Sequence, residues 1–119
     1  SSSRQFHTSP AKEEDLIGFI NKITATPGSR AALLALVVTG AEDMPGCIAY
    51  IAAGDGSDPD VIWVSEVWVD KASQEASLRT ELVSRAIEEA TPLIAGFENI
   101  AVLEHLDVAV PPAARLVQS

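Results

Sequence analysis

Cysteine is almost missing from this sequence: Cys47 stands alone among 119 residues. A single thiol excludes an intrachain disulfide and any cysteine-rich metal site, and it fits a reducing, cytoplasmic setting. Histidine is nearly as scarce. His7 lies in a polar N-terminal stretch and His105 is a single ring outside any ligand cluster, so no metal site is expected. Long apolar runs are absent too. None approaches the roughly 20 residues of a membrane-spanning helix, and no secretory apolar segment is read ahead of the first periodic element. Basic residues are outnumbered, 8 Lys and Arg against 17 Asp and Glu, leaving a net charge of −9. That sign disfavours nucleic acid and anionic membranes, which reward basic faces, so neither is expected as a partner.

What is present is apolar and periodic. Hydrophobic residues make up 47% of the chain, enough to separate it from disordered sequences and to build one core in a single domain. Residues 1–15 are polar and aperiodic, which reads as a flexible tail. Residues 16–106 carry the periodic pattern and form the expected domain. Residues 107–119, with Pro111-Pro112 and then Leu116-Val117, read as an extension, loose or laid across a partner subunit.

From Leu16 to Thr24 the sequence reads as a strand, with Ile17, Phe19, Asn21 and Ile23 sharing one face. Pro27-Gly28 ends it and Ser29 is positioned to cap a helix. In that helix Leu33, Leu36, Val37, Gly40 and Met44 form one stripe, stopped by Pro45-Gly46. A second strand runs from Cys47 to Ala53, with Ile48, Tyr50 and Ala52 on one side. The turn-rich Gly54 to Pro59 then leads into a third strand from Val61 to Val69, so the two read as a hairpin. The third strand places Ile62, Val64, Glu66 and Trp68 on one face and Val61, Trp63, Ser65 and Val67 on the other. Both faces are largely apolar, so both need cover; helices supply one, and a second subunit is the simplest supplier of the other. Asp70 is placed to cap a short helix through Leu78. A further helix follows over 81–90 with Leu82, Ala86, Ile87 and Ala90 in register, broken by Pro92 and Gly96. A fourth strand is expected from Asn99 to Leu106. The order β-α-β-β-α-β predicts an α+β, ferredoxin-like split βαβ sandwich: a four-stranded antiparallel sheet with helices on one face.

Three landmarks along this pattern, Ile23-Thr24-Ala25-Thr26-Pro27-Gly28, Met44-Pro45-Gly46-Cys47-Ile48-Ala49-Tyr50 and Ser65-Glu66-Val67-Trp68, give the chain a likeness. In that order and spacing it resembles the antibiotic biosynthesis monooxygenase domain. The resemblance implies a dimeric α+β barrel, a homodimer whose two sheets pack face to face, which accounts for the second apolar face. It also implies small enzymes that oxidise polycyclic phenols or quinols without metal or flavin, together with relatives that bind and degrade haem. No cofactor is therefore expected, and the expected partner is a small aromatic molecule.

Cofactor-free oxygenation needs an electron-rich anion as substrate, and the protein has only to take up a proton, stabilise an oxyanion and enclose the ring. By the resemblance, Asn21 matches an asparagine used as a pocket hydrogen-bond donor, and Trp68 matches a tryptophan that stacks on the ligand or donates its indole N–H. These two are the expected catalytic residues. Asn21 also fits a buried amide satisfied by backbone, and Trp68 a core ring. Tyr50, Glu66 and Phe19 are the expected substrate-binding residues. Tyr50 fits a donor to a substrate oxygen or a core ring with a wet tip. Glu66 fits either a desolvated proton acceptor or a paired structural carboxylate, the latter being the expectation. Trp63 faces away from this set, toward a dimer core, and Arg79 and Arg85 are expected in solvent.

The leading expectation is a cofactor-independent monooxygenase acting on an aromatic polyketide or quinol. The alternative is a non-catalytic small-molecule-binding or assembly protein on the same dimeric scaffold. Haem binding or degradation ranks third. No histidine lies between Ala72 and Ala90, where haem degraders of this kind place their axial ligand and where small quinol oxidases often carry one.

Overall fold

The computed structural model of the chain describes residues 16–109 and 112. The expected tail over 1–15 and most of the expected extension lie outside the described residues. The elements are β1 (Ile17–Ala25), α1 (Arg30–Gly40), β2 (Cys47–Gly54), β3 (Val61–Trp68), α2 (Lys71–Ser77), α3 (Glu81–Ala90) and β4 (Ile94–Glu104), with short 3-10 turns at Ala41–Asp43 and Thr91–Leu93. The strands pair in the order β2-β3-β1-β4, every neighbour antiparallel. This is the ferredoxin-like α+β sheet that the element order predicts.

The strongest apolar strand takes a central position. In β3, Val61, Ile62, Val64 and Trp68 are all buried, and together with Ile23 and Ala25 of β1 they line the sheet beneath the helices or around the hairpin. Leu33 of α1 is fully buried against Ile23, Ala25, Ile62, Val64 and Ala90. Withdrawing a leucine side chain of that kind from water contributes about 1.5–3 kcal/mol. The buried residues of α3 are Val83 and Ala90, so its inward face centres on Val83, Ala86, Ile87 and Ala90, one position round from the expected stripe.

Local chemistry sets most of the element ends. The Asp70 carboxylate accepts from the Ser73 backbone N–H at 2.7 Å, and Thr80 caps α3 by accepting from Val83 N–H at 3.3 Å. Gly46, at φ +89°, closes the turn into β2, where a Cβ would come within 2.7 Å of the Ser73 Cβ. Arg30 reaches from the first turn of α1 to the carbonyls of Asp55 and Asp58, at 3.1 and 2.9 Å, and so ties the β2–β3 loop to the helix. That loop is further ordered by Asp55, which accepts from Ser57 N–H, Asp58 N–H and the Trp63 indole N–H.

Three sequence expectations need correction. Ser29 occupies the cap position of α1 without capping it; its hydroxyl accepts from Thr26 Oγ1 at 2.7 Å instead. The apolar stripe of α1 ends at Gly40, and Met44 follows the 3-10 turn, outside the helix. The fourth strand starts at Ile94, not Asn99, and ends at Glu104. Pro92 sits in the first turn of a 3-10 segment, where its missing N–H costs nothing. Gly96 is tolerated inside β4, an edge strand. Leu106, past the strand, packs near Gly18, where a Cβ would lie 3.1 Å from its side chain.

Candidate active site

Between the helix layer and the sheet lies a cavity of about 370 Å³, within the range of small-molecule sites. Its walls are mostly apolar: Leu36 and Val37 from α1, Met44, Ala86 and Ile87 from the helical side, and Ile23, Ile94 and Phe97 from the sheet. The polar groups reaching it are Asn21, Tyr50, Glu66, Gln74 and Ser77, with the Trp68 indole alongside. Among the described lining residues Glu66 is the single charge.

The alternation of β3 brings Glu66 and Trp68 to the helix-facing side. β1 runs antiparallel beside it, with Phe19 opposite Glu66 and Asn21 opposite Val64. On the other flank Tyr50 of β2 lies opposite Glu66. The side chains then connect. Trp68 Nε1 donates to Glu66 Oε1 at 2.8 Å and Asn21 Nδ2 donates to Glu66 Oε2 at 3.1 Å. Asn21 Oδ1 in turn accepts from Asn99 Nδ2 of β4 at 2.8 Å. The result is a chain of polar groups from the edge strand to the indole, with the carboxylate at its centre.

Burial pushes the Glu66 carboxyl above its ordinary value, while the hydrogen bonds from Trp68 and Asn21 pull it down; burial wins. Tyr50 is pushed well up, first by burial and then by the charges of Glu66 and Cys47, so its phenol keeps its proton and stands as a donor. Chemically, the site offers one acceptor with a raised proton affinity and a neutral phenolic donor in an apolar enclosure.

Of the residues singled out from sequence, Asn21, Tyr50, Glu66 and Trp68 meet at this cavity. Phe19 shares their face but does not line it. Asn21 is occupied differently from the expectation: its amide N–H is committed to Glu66, and its oxygen to Asn99. Trp63 lies on the opposite face, its indole donating to Asp55 at 2.7 Å with Lys22 Nζ 5.9 Å above the ring. Arg85 pairs with Glu81 on the exposed side of α3. His105 is exposed at the end of β4 with φ +56°. No cluster of metal-ligating side chains occurs among the described residues. None of their helices is long and apolar enough to cross a membrane.

Asn99, Gln74 and Ser77 were not expected at the site. Gln74 and Ser77 follow from α2 lying beside the end of β3. Asn99 has no local signal, because its partner is 78 residues away in sequence.

Comparison with known proteins places this arrangement. No curated protein sequence matches the chain. Among solved structures, a protein from Chloroflexus aurantiacus J-10-fl, described as a candidate antibiotic biosynthesis monooxygenase, is 45% identical. It covers 79% of this chain and 94% of its own, with a TM-score of 0.70. A protein from Pseudomonas aeruginosa is 27% identical over 81% of this chain and 99% of its own, with a TM-score of 0.66. A candidate antibiotic biosynthesis monooxygenase from Bacteroides thetaiotaomicron shares the fold at 15% identity, covering 82% of this chain and 100% of its own, with a TM-score of 0.70. The family model described as antibiotic biosynthesis monooxygenase matches residues 16–89, most of the domain. The chain belongs to the antibiotic biosynthesis monooxygenase family.

Proposed function

We propose that this protein is a cofactor-independent monooxygenase that oxidises a phenolic aromatic or quinol-type substrate with dioxygen. The observation that carries this reading is the Glu66 carboxylate, raised in proton affinity and held by Trp68 and Asn21 at the wall of an apolar cavity. Family membership supports a monooxygenase-type activity. In this reading Glu66 takes the proton from the substrate hydroxyl or its benzylic carbon, and Tyr50 donates to the phenolate or enolate oxygen that carries the resulting charge. The electron-rich anion then reduces dioxygen. One oxygen atom is retained in the quinone product and the other leaves as water. Apolar walls exclude bulk water that would protonate the anion.

Oxygen uptake tests this. In metal-free buffer, purified protein should consume dioxygen when given members of a panel of hydroquinones and anthrones. Absence of protein-dependent uptake across the whole panel overturns the reading.

We further propose that the working form is a homodimer, located in the cytoplasm as the lone Cys47 suggests. The sheet face turned away from the helices carries Ile20, Ile51, Val67 and Leu103, with Ile51 62% exposed. A partner sheet laid over it would remove that apolar surface from water. Light scattering coupled to size exclusion should return twice the 12.5 kDa chain mass, and a monomer at micromolar concentration would refute the dimer.

A further inference from the structure

We infer that Asn99 is a positioning residue for the site: it locks the Asn21 amide as a donor toward Glu66 and thereby sets the pH at which Glu66 can accept a proton. The inference rests on the reading of Glu66 as the proton acceptor, and it concerns a residue on a different strand from every group discussed under that reading.

The argument begins with the register of β4 against β1. Asn99 stands opposite Asn21, but the next pair is Ala101 opposite Ile20, so Ile100 is an extra residue in the ladder. Such a bulge bends the strand and re-aims the neighbouring side chains. Here it leaves Asn99 Nδ2 facing three acceptors: Asn21 Oδ1 at 2.8 Å, the Ala101 carbonyl at 3.3 Å and the Ile20 carbonyl at 3.5 Å. An amide NH2 carries two hydrogens, which it shares among these three oxygens, and it has nothing to accept with. Rotating the Asn99 amide end for end would put its oxygen against two backbone carbonyls. Asn99 is therefore fixed as a donor by the backbone.

That fixes Asn21. Its oxygen must face Asn99, so its NH2 must face Glu66, as the 3.1 Å bond shows. An ionised carboxylate accepts only and welcomes this donor, whereas a protonated carboxyl would profit from an acceptor. Without Asn99, Asn21 could turn over and accept from the protonated form. With Asn99 in place, turning over would set the NH2 groups of Asn21 and Asn99 against each other. The lock thus opposes protonation of Glu66 and offsets part of the rise caused by burial.

The other groups facing Glu66 do not substitute for it. From β2 come Cys47 and Tyr50, both held toward their neutral forms by burial and by Glu66 itself. From β3 comes the Trp68 N–H. The lining side chains of α1 and α3 are uncharged, and α2 contributes the neutral Gln74 and Ser77, followed by Leu78 just past its end. Glu104 of β4 lies farther along, opposite Ile17, and is exposed.

The test is the titration of Glu66 followed by carboxyl carbon NMR, with the Trp68 indole N–H as a second reporter, on the full chain without substrate. Asn99→Ala should move the midpoint up by about one pH unit, since the freed amide now serves the protonated form. Asn99→Asp should move it further, and the part due to its added charge should shrink with salt while the part due to the lost lock should not. An unchanged midpoint in Asn99→Ala, in a protein that melts like the wild type, overturns the inference. If Asn99→Ala does not fold, Asn99→Thr carries the same expectation, because it favours the strand yet cannot reach Asn21 Oδ1. The titration needs no turnover. A protein that consumes no oxygen but shows the shift refutes the proposed reaction and keeps the lock; one that consumes oxygen without the shift does the reverse.

Discussion

Under the proposed reaction, Glu66→Gln should lower phenol-dependent oxygen uptake by about 10²–10⁴-fold, the usual span for removing a positioned general base. The substitution keeps the shape of the side chain, and its oxygen can still accept from the Trp68 N–H. Its new NH2 meets the NH2 of Asn21, which cannot turn over while Asn99 holds its other end. The variant therefore loses both the proton acceptor and one hydrogen bond.

The pH dependence separates the two losses. Burial raises the folded-state proton affinity of Glu66 above that of the unfolded chain. Stability arising from this group is then fully present below the unfolded pKa and is lost as pH rises through the folded one. Activity runs the other way, because only the ionised form can accept a proton. In wild type, kcat/KM should climb over the same pH window in which stability declines. Glu66→Gln should flatten both curves there. A variant that keeps a near-wild-type rate, or a wild-type rate that falls as pH rises through this window, removes Glu66 from the mechanism.

How much of this was legible in advance depends on how far each signal reaches along the chain. The two-residue alternation of β3 put Glu66 and Trp68 on one face, and the same period in β1 put Asn21 there; the observed pairing follows. Helix caps at Asp70 and the hairpin between β2 and β3 rest on neighbouring residues and were equally readable. The start of β4 was not. Pro92 and Gly96 read as breakers of one segment, whereas Pro92 begins a 3-10 turn and Gly96 lies on the edge strand, where the sheet tolerates it. Asn99 was hidden for a stronger reason. Its place opposite Asn21 depends on sheet order, and its orientation on one bulged residue, and neither leaves a local trace in sequence. Arg30 is similar: nothing local to the start of α1 marks it, and only the docking of the hairpin supplies the carbonyls that it binds. Glu66 reads from sequence as a paired structural carboxylate because a buried charge needs partners, and the structure supplies two N–H donors from Trp68 and Asn21. The cavity beside it is what gives those same bonds a functional meaning.

Trp68→Ala should cost about 3–5 kcal/mol of folding stability, the range for emptying a buried aromatic site. The ring is 1% exposed at the end of β3, paired across the sheet with Ile17 and Cys47. Few atoms nearby are free to collapse into the space, since α2 begins only three residues later and is capped in place. Chemical denaturation should show a lower midpoint with a little-changed slope. Trp68→Phe divides this effect. Phenylalanine keeps most of the apolar volume but removes the N–H that Glu66 Oε1 accepts. Its stability cost should be nearer 1 kcal/mol, the scale of one such bond. Its kinetic effect should be disproportionate, because the ionised form of Glu66 loses one of its two donors while the protonated form loses little. The acid limb of the rate profile should then move to higher pH, in the same direction as Asn99→Ala and by an independent route. If Trp68→Phe loses stability but leaves that limb in place, the indole is packing alone, and the tuning of Glu66 rests on Asn21 and the strand that orients it.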